Sequence, residues 1–476
     1  MLQYGTESLI SIEQLLEMYK NGKTIIVFGT ASTAEKHCNV LDDLDIKVSF
    51  FADNDKKKQG TIFRGKPVIS AESLLEMSNY IVLVCSGYCA EIMDGLAKLG
   101  IKEVYTLHNP ARISFSQMKA DSKELGIETP AVATKETTNR ILLKFYDGLG
   151  DNLIKLGILK FLSDSDPHAV LYWAVTDNQP KYEFLSKIFP NTMFVDKKRF
   201  EEVKDYRLSI LKKINELNFS KSYCFCLFAD FHDMFTQYNT NIPEHNYGAK
   251  LVESINGRWQ CKSLFEEMVK MTCKWFNVPH GYNFSPKGLL DNYLKDVSFP
   301  KELQGTKYIA VSLGGASWPN SYPTESAAEF LKFMQSKGFG VALLGGGKDD
   351  FERNKKIVEL LPNTNILNFC DKLTSVESFK VIQNCSLFFG LDSGMAHAAF
   401  VFDKPAVVLM NLSKNGAIWK HEDNKVKYLA NTDIHCNGCL CCINQKYNNR
   451  FDKFGECISS TPPEKIIEAA IQLLGL

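Results

Sequence analysis

No stretch of this 476-residue chain approaches the roughly 18 consecutive apolar residues of a membrane-spanning helix. Nor is there an internal repeat of solenoid length or a low-complexity tract. Excess charge is absent too: 55 Lys and Arg face 55 Asp and Glu, for a formal net charge of zero. That balance argues against a strongly basic nucleic-acid binder. Residues 1–15 lack the basic-then-apolar order of a secretory signal. A cytoplasmic protein is therefore expected, membrane-peripheral at most through its partners. The hydrophobic share of 45% and charged share of 23% are those of an ordinary globular protein, and the length suits two or three domains.

What is present is alternation. Thr24 to Phe28 reads as a strand followed by Gly29-Thr30-Ala31-Ser32, and Lys47 to Ala52 as a second strand ending in Asp53-Asn54-Asp55. Tyr80 to Val84 and Val104 to Thr106 are further strands, and helical stretches between them predict a parallel, doubly wound sheet. The first domain is placed at residues 1–112. Residues 113–138, rich in Ser, Thr, Lys, Glu and Ala without strong periodicity, read as a linker. A second α/β unit is expected over 139–298. Ile141 to Tyr146 is a strand, Asp147-Gly148-Leu149-Gly150-Asp151 a tight turn and Asn152 to Leu162 a helix, with later strands at Val170 to Val175 and Tyr223 to Phe228. A third unit is expected over 299–476, with strands at Tyr308 to Leu313, Gly340 to Leu344, Leu387 to Leu391 and Ala406 to Met410. Thr461-Pro462-Pro463-Glu464 predicts a closing helix capped by Thr461. Two successive doubly wound units imply a cleft between them, with ligand at the carboxyl ends of the strands.

The densest chemistry lies in Gly390-Leu391-Asp392-Ser393-Gly394-Met395-Ala396-His397. An apolar strand feeds an Ala-rich helix through Asp-Ser-Gly. The turn gathers backbone N–H groups, a hydroxyl and a flexible glycine, and such a helix start suits a phosphate. Ser393 and His397 are four apart and share a helix face. Gly345-Gly346-Gly347 follows a strand and precedes Asp349, Asp350 and Glu352. It reads either as an ordinary turn or as a place where backbone approaches a nucleotide. Asp164-Ser165-Asp166 is placed in a helix-to-strand loop and reads as a surface turn, so no catalytic metal is implied.

Three of these pieces, in order, resemble a known family. Gly148-Leu149-Gly150-Asp151-Asn152-Leu153 resembles the opening motif of glycosyltransferase family 9, the heptosyltransferases. Gly314-Gly315-Ala316-Ser317 resembles the glycine-rich start of that family's second domain, and Asp392-Ser393-Gly394 with His397 and Pro405 its donor-binding signature. The resemblance covers about residues 140–476. It implies an α/β GT-B fold of two Rossmann-like domains facing a cleft, here preceded by a separate small Rossmann-like domain. It also implies inverting transfer of heptose or a related sugar from a nucleotide-diphosphate donor, often ADP-heptose. The acceptor would be a surface glycan, lipopolysaccharide, a lipid-linked glycan or a protein.

Asp151 falls where the family's catalytic aspartate lies, as the base that strips the acceptor hydroxyl. Its alternative is to cap the following helix, and Asp147 is the rival carboxylate. Ser393, Gly394 and Met395 at the helix start, with His397, would stabilise the leaving diphosphate. Asp392 would orient the loop or contact the donor sugar. Gly314, Ser317, Gly346, and Glu352 on a ribose hydroxyl, complete the expected donor site. The family's Phe/Tyr-Gly-Pro-Thr loop is replaced by Asn411-Leu412-Ser413-Lys414-Asn415-Gly416, where Lys414 is either a phosphate partner or a solvated lysine.

Of fourteen cysteines, those outside the C-terminal region read as reduced core thiols. Cys436, Cys439, Cys441, Cys442 and Cys457 crowd together. Cys436-x-x-Cys439 is a metal-knuckle spacing, and four thiolates suit structural zinc or iron. The expected ligands are Cys436, Cys439, Cys442 and Cys457, with Cys441 as substitute; labile thiols or no special role are the alternatives. The autotransporter heptosyltransferases, related to the family above, are similar in holding iron through C-terminal cysteines. In the first domain, Gly29 to Ala34 is a degraded G-x-G-x-x-G turn, and Asp53 stands near the place of a ribose-binding acid. Residues 24–106 also resemble the Rossmann-like modules found beside sugar-modifying enzymes, through Phe51 to Asp55 and Gly65 to Ile69. Two rival functions are an NAD-dependent sugar-modifying oxidoreductase or epimerase, and a non-catalytic nucleotide-sugar-binding scaffold. A homo-oligomer is compatible with each.

Overall fold

The structure is a computed structural model. It describes residues 10, 12–86, 89–106, 121, 123–126, 141–144, 148–165, 170–175, 179–217, 221–224, 244–246, 264–278, 281–314, 322–362, 364–410, 421, 423–432 and 456–476. The chain divides into two compact units, one of residues 1–146, 168–177 and 193–260, the other of 147–167, 178–192 and 261–476.

The first unit holds two sheets. One is built from β1 (Thr24–Phe28), β2 (Val48–Ala52), β3 (Ile62–Phe63), β4 (Lys66–Ile69), β5 (Tyr80–Val84) and β6 (Val104–Tyr105), in the order β3-β4-β2-β1-β5-β6. Every neighbouring pair is parallel except β3 with β4. Because a parallel sheet is covered on both faces, β1 and β5 are apolar along their length. Ile25, Val27, Ile81 and Leu83 pack with Leu15, Cys38 and Leu41 on one face. Ile26, Phe28, Val82 and Val84 pack with Leu74, Met93 and Leu96 on the other.

The second sheet contains β7 (Ile141–Lys144), β8 (Val170–Val175), β9 (Thr192–Asp196), β10 (Lys221–Cys224) and β11 (Glu244–Asn246), in the order β11-β10-β7-β8-β9. In the same unit, Arg207 of the helix Lys204–Leu217 is buried against Asp121. Its Nε donates to Asp121 Oδ2 at 2.7 Å, and its Nη1 to Phe200 O at 3.1 Å.

The other unit carries β12 (Tyr308–Ser312), β13 (Gly340–Leu343), β14 (Ile366–Asn368), β15 (Leu387–Leu391), β16 (Ala406–Leu409) and β17 (Val426–Leu429). All pairs are parallel, in the order β14-β13-β12-β15-β16-β17. Counted from β12, this is the 3-2-1-4-5-6 order of a dinucleotide-binding sheet. The order reverses between β12 and β15, so the residues after Ser312 and after Leu391 emerge side by side where such sheets bind ligands. β12 and β15 are buried throughout. Phe389 packs on Phe330 with ring centroids 4.6 Å apart.

Two local expectations are corrected. Thr461 does not cap the closing helix Pro463–Leu474: Pro462 holds that position, and the Thr461 hydroxyl donates to Cys457 O at 2.9 Å. Asp164 lies in the last turn of the helix Leu156–Ser165 rather than in a loop, paired with Lys160 one turn earlier at 2.5 Å. No helix among the described residues is long and apolar enough to cross a membrane.

Removing one member of a buried ion pair leaves the other charge uncompensated, at about 3–5 kcal/mol. Arg207→Ala should lower the stability of the first unit by about that amount in urea denaturation. Arg207→Met combined with Asp121→Leu removes both charges and should recover most of the loss.

Candidate functional site

The described residues of the expected donor site, and Asp151, lie in the second of these units. The helix Leu149–Ile154 starts at Gly148, whose N–H donates to Asp151 Oδ2 at 2.8 Å. Asn152 Nδ2 donates to Gly148 O at 2.7 Å. Asp151 therefore does close the helix start, through one carboxylate oxygen, and the turn is locked by its own first residues.

This helix meets the helix Gly394–Val401 at a pair of glycines. A Cβ on Gly150 would lie 2.6 Å from His397 Cδ2 and 2.9 Å from Gly394 Cα. Backbone meets backbone there because neither residue carries a side chain. One residue beyond the contact is Asp151; one residue before it, on the other helix, is Ser393. Ser393 holds the N-cap position in extended backbone, φ −160° and ψ 173°. Its carbonyl accepts the N–H groups of Ala396 and His397. Its hydroxyl is buried and has no hydrogen-bond partner. A buried hydroxyl left unpaired costs about 1–3 kcal/mol, a penalty that an anion at the helix start would remove.

His397 is buried behind this turn. Its Nδ1 lies 3.0 Å from Nε2 of His421, and its Nε2 3.8 Å from Asp392 Oδ1, too long for a direct hydrogen bond. His421 stacks flat on Phe400, with centroids 3.6 Å apart and planes 2° apart. The Tyr428 hydroxyl accepts the His421 backbone N–H at 3.0 Å. Burial pulls His397 down to about 4. Burial, with His397 and the Lys287 charge nearby, pulls His421 well below the usual histidine value. Both rings are therefore neutral at neutral pH. Burial also pushes the Asp392 carboxyl up to about 7, so this acid opposes an arriving anion less than an ordinary aspartate would.

Gly314, after β12, faces Asp350: a Cβ on Gly314 would lie 1.9 Å from Asp350 Oδ1. Asp350 also accepts the Gly346 N–H at 3.0 Å and pairs with Arg353 at 2.5 Å. Asp371 accepts the Gly347 N–H at 2.8 Å. The glycine run is thus held by two carboxylates, and Glu352 is exposed on the helix that follows. Sequence reasoning missed Asp371 and His421, and it named Asp350 without a role. Asp350 carried a signal, being an acid four residues after Gly346; His421 carried none. Ser317, Lys414, Asp147, Cys436, Cys439, Cys441 and Cys442 lie outside the described residues. Cys457 is buried in the core with Ile458 and Ile466. Among the described residues no group of three or more His, Cys, Asp or Glu is placed to hold a metal.

Residues 247–447 match the model of glycosyltransferase family 9 (heptosyltransferase), and residues 21–106 match that of the C2185-like N-terminal domain. A search of curated proteins found no match. Among solved structures, the chain is similar to a glycosyl transferase family 9 protein from Veillonella parvula, at 17% identity and a TM-score of 0.52, covering 72% of this chain and 99% of that one. It is also similar to the ADP-heptose lps heptosyltransferase II of E. coli, at 16% identity and a TM-score of 0.47, covering 70% of this chain and 98% of that one. A third is the iron-containing dodecameric glycosyltransferase TibC of enterotoxigenic E. coli, at 13% identity and 0.43, covering 71% and 79%. The Veillonella likeness shows the fold, the GT-B class of α/β units with parallel sheets, and a separate domain precedes it. The family match supports glycosyl transfer as the chemistry.

Two outcomes follow from this geometry. Gly150→Ala should lower stability by about 1–3 kcal/mol through overpacking, read in urea denaturation. Gly95→Ala, where a new Cβ meets nothing within 4 Å, should be neutral or stabilise by up to about 1 kcal/mol. Asp392, with a folded pKa raised from 3.8 to about 7, contributes stability below the unfolded value that is lost as pH rises through the folded one. The stability of wild type relative to Asp392→Asn should fall by roughly 3 kcal/mol between pH 4 and 7 in denaturation curves and level off above.

Proposed function

We propose that this chain, which resembles glycosyltransferase family 9, transfers a sugar of the heptose class from a nucleoside-diphosphate donor, with inversion, to a hydroxyl of a surface glycan, lipopolysaccharide or protein. ADP-heptose is the first donor to test. The observation that carries the reading is the Gly150–Gly394 contact. It sets a carboxylate, Asp151, beside a helix start that holds a buried, unpaired hydroxyl.

In this reading Asp151 takes the proton of the acceptor hydroxyl as its oxygen bonds to the anomeric carbon. The bond from that carbon to the diphosphate oxygen breaks, and the diphosphate leaves with the electron pair. The N–H groups of Ser393, Gly394 and Met395 and the Ser393 hydroxyl receive the growing charge, aided by the helix dipole. His397, neutral and buried, would serve as a hydrogen-bond donor rather than as a cation. Asp392 would meet the sugar or hold the loop. Gly314 and Gly346 would let the nucleotide approach, with Ser317, Lys414 and Glu352 as further contacts. Since the Gly346 N–H is already given to Asp350, that glycine would offer closeness, not a donor. Cys436, Cys439, Cys442 and Cys457 would hold zinc or iron that folds a loop and takes no part in transfer. A cytoplasmic place of action belongs to the same proposal.

Asp151→Asn keeps a side-chain acceptor for the Gly148 N–H while removing the base. It should cut turnover about 10²- to 10⁴-fold and leave nucleoside-diphosphate affinity nearly unchanged. Affinity is read by thermal unfolding with ADP, UDP, GDP, CDP and NAD in turn, where ligand at about 100 times its dissociation constant adds about 2.7 kcal/mol. Near-normal turnover in the variant would remove Asp151 as the base. Stabilisation by NAD and by none of the diphosphates would move the chemistry to residues 24–106.

A further inference from the structure

The donor-site reading leaves one buried group unused. His421 belongs to none of the motifs and lies 24 residues after His397, yet its Nε2 is 3.0 Å from His397 Nδ1 and both rings are buried. Resting on the proposed diphosphate site, we infer that His421 is a positioning residue. Its Nε2–H donates to Nδ1 of His397, which keeps the His397 proton on Nε2, the nitrogen that faces Asp392.

Both rings are neutral, for burial disfavours either cation and Lys287 adds its charge near His421. Between two neutral imidazoles one nitrogen donates and the other accepts. If His397 donated from Nδ1, its Nε2 would present a lone pair to the Asp392 carboxyl 3.8 Å away. Above the raised pKa of that acid, lone pair would face anion. With the proton on Nε2 the contact becomes favourable, and the Nδ1 lone pair needs a donor. His421 supplies it. A diphosphate at the helix start also needs a donor, which the Nε2–H tautomer provides and the other does not.

The setting of His421 fits a fixed ring. One face lies flat on Phe400, and its backbone N–H is held by the Tyr428 hydroxyl. The Lys287 ammonium lies 5.3 Å from the Phe400 centroid and is tied to Asp403 at 2.5 Å and to Asp423. The arrangement parallels a metal-bound histidine whose second nitrogen is held by an outer partner that sets its tautomer.

The test uses the full chain labelled with 15N-histidine, which contains nine histidines. His397→Gln and His421→Gln spectra assign the two rings. At pH 8.5, two-bond 1H–15N correlations should show His397 protonated on Nε2, with its Nδ1 signal displaced by an accepted hydrogen bond. His421→Phe keeps a ring on Phe400 but has no donor. There the Nδ1 signal should move to that of an unbonded nitrogen, and the affinity for whichever of ADP, UDP, GDP and CDP binds wild type should fall about tenfold. His421→Gln restores an N–H donor and should recover most of both. Wild-type His397 protonated on Nδ1 would overturn the inference, and so would His397 signals unchanged in His421→Phe. Wild type that binds none of the four diphosphates would instead sink the donor-site reading, while the spectra still decide the tautomer.

Discussion

The contact of Gly150 with Gly394 is the constraint on which the candidate site depends. Two helix starts approach until a single Cβ would stand 2.6 Å from an imidazole carbon. Asp151 and the turn from Asp392 to His397 are within a few residues of that crossing. Asp151 and its bond to Gly148 lie on one helix; Ser393, His397 and Asp392 lie on or just before the other. A helix start is a local source of unpaired N–H groups. At the crossing the two starts come together in one place, with carboxylate on one and hydroxyl on the other. A Cβ on Gly150 would force the two starts apart, whereas one on Gly394 would meet Gly150 N at 3.3 Å and ask for only a small shift.

The long apolar strands were legible because both faces of a parallel sheet are covered. β1, β5 and β15 fall where the runs Thr24 to Phe28, Tyr80 to Val84 and Leu387 to Leu391 place them. Three other strands were not, although the two-residue β6 was read from Val104 to Thr106. β14 (Ile366–Asn368) and β17 (Val426–Leu429) are at sheet edges and partly exposed, and β9 (Thr192–Asp196) mixes polar and apolar residues. Such segments lack the run length that separates strand from loop. Thr461 shows a different failure. Its type suits an N-cap, but proline next to it holds the position, and the hydroxyl turns back to Cys457.

The site divides along the same line. Asp392-Ser393-Gly394 and Gly148-Leu149-Gly150-Asp151 are contiguous, so their backbone consequences could be read from order alone. Asp371 reaches Gly347 from the far end of β14, and His421 reaches His397 from beyond β16. Neither belongs to a local pattern. Each is put in place by sheet order, which brings sequence-distant loops to one end of the strands.

The carboxyl ends of the first sheet and of the β12–β17 sheet differ in what they leave unsatisfied, and that difference bears on the rival functions. In the first domain, Asp53 accepts from the Thr30 hydroxyl at 2.5 Å, the Asp55 N–H at 3.0 Å and the Lys58 ammonium at 3.1 Å. Gly29, at φ 115°, is required by the backbone itself, because a Cβ there would lie 2.8 Å from Cys85 O. A dinucleotide ribose seeking Asp53 would compete with three hydrogen bonds already made, one to a cation and all to an anionic acceptor, the stronger kind. At the other end, Asp350 and Asp371 satisfy the N–H groups of Gly346 and Gly347, but the buried Ser393 hydroxyl has no partner. A phosphate oxygen there would give the Ser393 hydroxyl the acceptor it lacks. By this comparison of what binding must break and what it can form, an anion finds an unmet donor at Ser393, whereas Asp53 in the first domain is already engaged.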